Sequence, residues 1–231
     1  MFGVAGEVLV TAGLVALLFV AWQLWIGDAI IGARNNADGA ALSRQWAAGS
    51  SSPMRSGAPA VSTTDPVVLA EPADAQVFGV MHIPRFGSDY AVKIAGGVSR
   101  PRTLDPIGIG HYPGTPMPGA EGNVALAAHR TTFGKPFNLI ATLHIGDAIV
   151  IETADGWYTY RFRTLEYVKP DAIAVIAPVP QQVGVAADGR YLTMTSCSPM
   201  YSRAERIIAY SSFESFTRRS AGAPASLAPV S

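Results

Sequence analysis

Two stretches near the carboxyl end decide the fold: residues 191–197 read YLTMTSC and residues 206–213 read RIIAYSSF. Both are short and rich in β-branched, aromatic and small residues, which favours strands. The intervening residues 198–202, SPMYS, are typical of a turn, so the second strand can return antiparallel beside the first. This arrangement predicts that Arg206 meets Cys197 across a hairpin.

Cys197 is the only cysteine among the 231 residues. Because no second thiol can form an intramolecular disulfide, an exported chain carries it as a free thiol. Outside the reducing cytosol a free thiol is exposed to oxidation, which suggests that it is retained for its chemistry. Side chains alternate along a strand, so Cys197 shares a face with Tyr191, Thr193 and Thr195. Cys197 is therefore a candidate nucleophile, and Arg206 could donate to a substrate carbonyl or a developing oxyanion.

A thiol that acts as a nucleophile needs a proton acceptor or a nearby positive charge. His129 is the first candidate, because it follows the strand-like residues 123–128 (NVALAA) and precedes the loop RTTFGK. The other histidines have weaker contexts: His82, His111 and His144. From the residues alone, a structural cysteine, a solvated histidine and an Arg206 paired with Glu205 remain open alternatives.

The charge of the chain and the spacing of its possible metal ligands argue against nucleic-acid binding and against a metal site. The chain has 17 basic and 17 acidic residues and no Lys/Arg run, so we expect no nucleic-acid binding. There is no CxxC or HExxH spacing, and no acidic cluster is dense enough to predict calcium. We therefore expect neither a metal site nor a cofactor.

The chain begins with an apolar segment. Residues 8–26 carry no charge and match the roughly 20 residues that cross a bilayer as a helix. Trp22 and Trp25 lie near the outer end, where aromatic rings favour the headgroup region. The run is longer than a usual signal-peptide core and no clear cleavage site follows, so we interpret it as an uncleaved anchor.

The orientation of this anchor follows from the size of what comes after it. Residues 1–7 contain no Lys or Arg, whereas Arg34 and Arg44 lie beyond the span, against the positive-inside rule. Long domains, however, translocate largely regardless of charge. We expect residues 1–7 in the cytoplasm and a single-pass membrane protein with an extracellular catalytic domain.

The rest of the chain divides by composition. Residues 27–76 are rich in Ala, Ser, Gly, Pro and Asp and are predicted to be a flexible linker, with at most a short helix near 40–46. Residues 77–216 form one domain of short strands between Gly/Pro turns, which favours an all-β barrel or sandwich, with a short helix at 135–141. Residues 217–231 are predicted to be a loose tail. The predicted strands are 78–83, 90–94, 123–128, 148–152, 157–168, 191–196 and 206–213.

Four segments carry a resemblance to the sortases, the cysteine transpeptidases of Gram-positive surfaces. Residues 193–199, TMTSCSP, with Arg206, resemble the TLxTCxP…R signature, and residues 122–137, GNVALAAHRTTFGKPF, are similar to the segment with the catalytic histidine. Residues 83–85, IPR, and 110–119, GHYPGTPMPG, extend the match over most of 77–213. GHYPGT most resembles the class E sortases of actinobacteria.

Three positions depart from the family pattern. Met194 and Ser196 stand where the family often has Leu and Thr, and Ala128 replaces a frequent Gly before the histidine. None of these departures removes a catalytic group. The resemblance therefore implies the complete fold and chemistry of the family.

The implied fold is an eight-stranded sortase-type β-barrel with short helices. The implied reaction is attack by Cys197 on the Thr-Gly bond of a C-terminal sorting signal, followed by transfer of the acyl group from the thioester to the amine of a cell-wall precursor of the lipid II type. His129 would be the general acid and then the base, and Arg206 would hold the substrate and the oxyanion. The implied substrate-binding residues are Tyr112, Thr195 and Ser196.

The implied partners are surface proteins that carry the sorting signal, the cell-wall precursor and the membrane. For class E, the resemblance implies an LAxTG-type signal rather than LPxTG, with Tyr112 contributing to that choice or merely packing on loop prolines. Three other functions remain open: a pilus-polymerising sortase that uses a pilin lysine, a plain cysteine hydrolase, and a catalytically inactive membrane-tethered binding module.

Overall fold

A computed structural model describes residues 2–22, 26–50 and 65–228. Two helices come first, α1 (Phe2–Ala21) and α2 (Gly27–Ser50). Eight strands follow: β1 (Val77–His82), β2 (Val92–Gly96), β3 (Ile109–His111), β4 (Gly122–Ala128), β5 (Ala148–Glu152), β6 (Gly156–Val168), β7 (Arg190–Ser198) and β8 (Glu205–Arg218). The remaining helical pieces are single short turns.

The eight strands close into a barrel in the order β1-β2-β3-β4-β7-β8-β6-β5. The pairs β2–β3 and β4–β7 are parallel, and the other six are antiparallel. The predicted all-β, eight-stranded barrel is confirmed. Its interior is filled by side chains from every strand, the largest of them fully buried: Met81, Ile94, Ile109, Leu126, Ile149, Ile151, Tyr158, Tyr160 and Leu192.

Alternation along β4, β7 and β8 separates an inner from an outer face. Val124, Leu126, Leu192 and Met194 belong to the interior cluster, together with the β8 residue Ile207. Because side chains alternate, the intervening residues of β4 and β7, including Cys197, face outward. The polar face predicted for Cys197 is thus the outside of the barrel.

Part of this outer face is covered by the connection between β6 and β7. Val175, in the short turn Ile173–Ile176, packs on Ile208 and Tyr210 of β8. The amide of Asn123 donates to the carbonyls of Val175 and Ala177. Asn123 lies at the amino end of β4, whereas the candidate site lies at the carboxyl ends of β4 and β7.

The predicted strands differ from the observed ones in detail. β3 was not predicted, because three residues around Gly110 are too short for a hydrophobic pattern. β8 continues to Arg218, past the predicted end at 213. The helix predicted over 135–141 does not form: Lys135 has φ of 44°, which a helix excludes, and a 3-10 turn occupies only Ile140–Thr142.

Helix α1 has the composition of a membrane span. The apolar window Gly3–Val20 is long enough to cross a bilayer, and none of it is buried within the protein. The helix begins at Phe2 and ends at Ala21, so it lies several residues before the span predicted at 8–26. Trp22 is exposed, and Trp25 lies outside the described residues.

The flexible linker predicted over 27–76 differs from the structure at both of its ends. Residues 27–50 form α2, which packs on β1 and β2, and residues 65–76 run along the barrel, where the Glu71 carboxylate accepts the amide of Gly114 at 2.7 Å. Most of the contact side of α2 consists of small and polar residues at helical spacing, Gly32, Asn35, Gly39 and Ser43, and Trp46 follows them with its ring 5.6 Å from the Arg219 guanidinium. Such a stripe carries no hydrophobic signal, which is why the sequence pattern did not indicate docking.

The tail predicted at 217–231 is also ordered over its described part. Thr217 and Arg218 end β8, and Arg219 is buried with its guanidinium 4.6 Å from the ring centroid of Trp157. Leu227 packs against the cluster that contains Trp157. These contacts anchor the carboxyl end to the barrel wall.

Candidate active site

Cys197 and Arg206 lie directly opposite each other in the antiparallel pair β7–β8. Residues opposite each other in such a pair share a face, with Cβ atoms about 4.5–5.5 Å apart. The Cys197 thiol is free and half-buried. The predicted meeting of Cys197 and Arg206 across the hairpin is therefore what the strand register produces.

His129 lies level with Cys197 on the other side of β7, just after the neighbouring strand β4. In the parallel pair β4–β7, Ala127 is the partner of Thr195, and His129 and Cys197 each lie two residues further along. His129 is the residue after the end of β4, so this register brings it level with Cys197. The register thus brings His129, which follows β4, Cys197 of β7 and Arg206 of β8 level with one another at one end of the barrel. These three residues are called the site row below.

The ring of His129 is held on one edge and one face. Its Nε2 lies 2.6 Å from Oδ1 of Asp105, and its centroid lies 5.0 Å from that of Phe133. Only 12% of the His129 side chain is exposed. Sequence reasoning missed Asp105, since 24 residues separate it from His129 and no local pattern links the two.

A second residue that sequence reasoning missed, Arg130, is buried beneath the site row. Its Nη1 donates to the carbonyl of Cys197 at 3.4 Å and to Oγ of Ser198 at 3.2 Å. The amide of Asn138 in turn donates to the Arg130 carbonyl at 3.0 Å. These bonds tie the ends of β4 and β7 together and place a second guanidinium close to the nucleophile's own backbone.

The guanidinium of Arg206 is held by its own turn. Nη1 donates to the carbonyls of Arg203 at 3.1 Å and Glu205 at 2.9 Å. The carboxylate of Glu205 pairs instead with Lys169, at 3.6 Å. The alternative of an Arg206–Glu205 side-chain ion pair is thus replaced by contacts of the guanidinium with backbone carbonyls of its own turn.

Tyr112 and Thr195 meet on the outer face next to the site row. Tyr112 follows β3 directly, and its hydroxyl lies 3.1 Å from Oγ1 of Thr195. Thr195 is two residues before Cys197 on the same face of β7. The structure thus brings these two predicted substrate-binding residues into contact with each other.

Ser196, the third predicted substrate-binding residue, has a different position. Its side chain is buried and points to the opposite face of β7 from Cys197, and its Oγ donates to the carbonyl of Ala128 at 2.8 Å. The Ser196 side chain therefore links β7 to β4 inside the barrel wall, and contact with a ligand is left to its backbone.

The other three histidines have different surroundings from that of His129. His82 pairs with Glu152 at 2.7 Å, and the backbone of His144 donates to Asp147. His111 is fully buried in β3, and burial lowers its pKa. Within the residues that the structure describes, no three His, Cys, Asp or Glu side chains cluster as metal ligands.

Comparisons with known proteins agree with this geometry. The Sortase domain family model matches residues 81–214. Sortase SrtE1 of Streptomyces coelicolor is 36% identical over 228 residues, which cover 96% of this chain and 60% of that protein. The chain thus spans about three fifths of this curated relative's length.

Two solved structures share the fold. The SrtA sortase from Actinomyces oris superposes with a TM-score of 0.67 and 33% identity, over 70% of this chain and 93% of that one. Sortase E1 from Streptomyces coelicolor, solved with a tripeptide in its active site, gives a TM-score of 0.62 and 36% identity, over 68% and 99% of the two chains. The barrel, its register and these similarities lead to one conclusion: the chain belongs to the sortase family and is most similar to its class E members.

Proposed function

We propose that this chain is a cysteine transpeptidase that cleaves a C-terminal sorting signal between Thr and Gly and transfers the acyl group to an amine of a cell-wall precursor. The observation that supports the proposal is the strand register, in which Cys197 of β7 lies opposite Arg206 of β8 and level with His129, the residue after β4. A thiol, an imidazole and a guanidinium are the groups that acyl transfer through a thioester requires.

In the first half of the reaction, the thiolate of Cys197 attacks the carbonyl carbon of the Thr residue. Arg206 stabilises the oxyanion that forms, because its charge is fixed in orientation by the carbonyls of its own turn. The C–N bond then breaks, and His129 gives its proton to the departing amine of Gly. The products of this half are a thioester on Cys197 and a neutral imidazole.

In the second half, the amine of the cell-wall precursor attacks the thioester. His129 takes a proton from this amine, the C–S bond breaks, and the thiolate of Cys197 is restored. Tyr112 and Thr195 contact the part of the signal that precedes the scissile bond, and their shared hydrogen bond favours a small residue there, as in LAxTG. The side chain of Ser196 supports the strand and does not touch the signal.

The membrane is part of the proposal. α1 anchors the chain as a single span, with the N-terminus in the cytoplasm and the barrel outside. The partners are then surface proteins that carry the signal and a precursor of the lipid II type. The alternatives of a pilus-polymerising sortase and an inactive binding module have no specific support in the site or in the relatives.

The test is intact-mass spectrometry of the full chain in detergent with LAxTG and LPxTG peptides. We expect an acyl adduct that requires Cys197, forms faster with LAxTG, and is discharged by diaminopimelate-type or oligoglycine amines. Cys197→Ala should give no adduct, and His129→Ala should slow both its formation and its discharge. A wild-type chain that forms no adduct, or that yields only the carboxylate with amine in excess, would contradict the proposal; the second result indicates a hydrolase.

A further inference from the structure

We propose that Asp105 is a positioning residue for His129 and selects the imidazole nitrogen that exchanges protons with the substrate. The carboxylate Oδ1 of Asp105 lies 2.6 Å from Nε2 of His129. In its ordinary ionised form a carboxylate can only accept hydrogen bonds, so Nε2 must carry a proton in this contact. Nδ1 is then the nitrogen left for the amine. The chemical part of this inference rests on the proposed transpeptidase function.

Asp105 is held firmly enough to impose this choice. It ends the helical turn Arg100–Leu104, and its backbone N–H donates to the carbonyl of Arg100 at 2.8 Å. Thr103, within that turn, is fully buried and donates through Oγ1 to the carbonyl of Gly96 at 3.1 Å. The turn is thereby fixed to the end of β2, and this restrains the position of the Asp105 carboxylate.

Among the residues that the structure describes, the hydrogen bond of the His129 ring is made by Nε2, to Asp105. Phe133 lies against the ring of His129, and the guanidinium of Arg100 lies 5.9 Å from the Phe133 centroid and 3.6 Å from Asp105. The Asp105 side chain is 23% exposed and that of His129 12%, so bulk water is partly excluded from their contact. A charge-assisted hydrogen bond is stronger under such conditions than at an open surface.

The proton balance of the reaction shows why the choice matters. The protonated imidazole carries protons on both nitrogens and gives the one on Nδ1 to the departing amine. The neutral ring that remains keeps its proton on Nε2, bonded to Asp105, and its Nδ1 lone pair is ready for the incoming amine. Without Asp105, the neutral ring can place its proton on Nδ1, and that tautomer cannot act as the base from the same position.

The experiment measures the tautomer and the turnover of the same samples. The full chain, labelled with ¹⁵N-histidine in detergent micelles, is compared with Asp105→Ala, Asp105→Asn and Asp188→Ala. Asp188 is the control, because this exposed aspartate accepts a hydrogen bond from Tyr191 at 2.7 Å, at the opposite end of β7 from Cys197, and bonds neither to His129 nor to the turn Arg100–Leu104. The resonance of His129 is assigned by its loss in His129→Ala, and the signals of His82, His111 and His144 report whether each variant is folded.

We expect the neutral His129 of the wild type to be the Nε2–H tautomer and that of Asp105→Ala to be a mixture. We also expect Asp105→Ala to lower kcat by about 10- to 100-fold, with KM changed less than about threefold. In Asp105→Asn the amide can either accept from or donate to Nε2, so turnover should follow whichever tautomer the spectrum shows. Asp188→Ala should leave both the tautomer and kcat of the wild type.

Three results would overturn the inference: an unchanged His129 tautomer in Asp105→Ala, a wild-type kcat in that variant, or a turnover in Asp105→Asn that does not follow the tautomer. The failure of the proposed function is a separate result. If the wild type forms no acyl adduct while the tautomer still depends on Asp105, the transpeptidase assignment fails and the positioning contact stands.

Discussion

The wall formed by β4, β7 and β8 and the helix α2 both bear on the candidate site, but by different means. In the wall, the backbone register alone brings His129, Cys197 and Arg206 level with one another. In α2, the contacts join residues about a hundred positions apart: Asn35 donates to the carbonyl of Phe133 at 3.4 Å, and Asp28 accepts the amide of Gly134 at 3.4 Å. Both of these α2 contacts fall on the loop that follows His129.

This loop needs support. Phe133 and Lys135 adopt left-handed φ values of 55° and 44°, on either side of Gly134 at 77°. Each left-handed non-glycine residue costs on the order of 1 kcal/mol or more and persists where its surroundings hold it. The wall carries the proposed reacting groups, whereas α2, which begins a few residues after the apolar span, contacts the loop that follows His129.

Among the variants that distinguish the wall from α2, we expect the largest loss of activity from a substitution in the wall. Arg206→Ala removes the guanidinium beside Cys197 and should lower kcat by about 10²- to 10³-fold, as the loss of one oxyanion donor does in other acyl transferases. Steady-state transpeptidation and a melting curve of the same sample measure this. Arg206→Lys should recover only part of the rate, since an ammonium lacks the fork geometry. An alanine variant with more than a tenth of wild-type kcat would remove Arg206 from the oxyanion role.

The next effect concerns the junction between α2 and the barrel. The buried carboxylate of Glu152 accepts hydrogen bonds from Ser43 of α2, His82 of β1 and Arg219 of the carboxyl end. Burial by itself would raise the pKa of Glu152, but the bonds from His82, Ser43 and Arg219 outweigh it and hold the pKa below its usual 4.5. The stability that this charge contributes is present above pH 4.5 and is lost as the pH falls through the lowered value.

Glu152→Gln should therefore lower the free energy of unfolding at pH 7 by about 2–3 kcal/mol. It should also flatten the fall in stability on acidification, because the glutamine has no proton to bind. Denaturant unfolding at a series of pH values between 3 and 7 measures both effects. Glu214→Gln breaks an exposed pair with Arg161 and should change stability by less than about 1 kcal/mol. If the unfolding free energy falls equally with decreasing pH in the wild type and in Glu152→Gln, the Glu152 carboxylate does not supply this pH-dependent stability.

A single methyl group can test whether α2 must lie against the barrel. A Cβ added at Gly39 would lie 2.0 Å from the carbonyl oxygen of Ala91, a backbone atom of the barrel, so α2 must shift. Gly39→Ala should cost about 1–3 kcal/mol in unfolding free energy. It should also lower kcat several-fold, because the loop after His129 loses its contacts with α2.

The same helix offers the control. Gly49→Ala adds a methyl group with nothing within 4 Å and should leave stability and kcat within error of the wild type, or slightly raise stability through helix propensity. Limited proteolysis within residues 27–50 should be faster for Gly39→Ala than for Gly49→Ala. If both variants behave alike, α2 docking has no part in supporting the site.

The smallest effect is expected from the hydrogen bond beside the site row. Tyr112→Phe removes the hydroxyl that lies 3.1 Å from Thr195 and leaves the ring in place. The loss of one such bond is worth about 1 kcal/mol, which corresponds to a change of several-fold in kcat/KM. We expect this change in the ratio of kcat/KM between LAxTG and LPxTG peptides, while melting temperature stays near that of the wild type. An unchanged ratio would make Tyr112 a packing residue only.

The β7–β8 part of the wall was predictable because its information is local, whereas the parallel pairing of β4 with β7, which brings His129 level with Cys197, joins segments about 70 positions apart. Alternation along residues 191–197, one turn and a second strand suffice to bring Arg206 opposite Cys197, and a strand that ends at 128 delivers His129 to its edge. The strand β3 and the pairing of His129 with Asp105 were not predictable. The first is too short to show a period, and the second depends on how the turn Arg100–Leu104 folds back toward the end of β4.

The amino-acid sequence by itself determined the β-rich domain, the apolar segment near the amino end and the candidate nucleophile with its histidine and arginine, because each of these depends on short-range periodicity or on a residue's own chemistry. Only the tertiary structure decided that 27–50 is a docked helix, that Asp105 and Arg130 surround the site, and that the Ser196 side chain points away from Cys197. Those features depend on close contacts between distant segments, and small or polar contact residues leave no hydrophobic pattern along the chain.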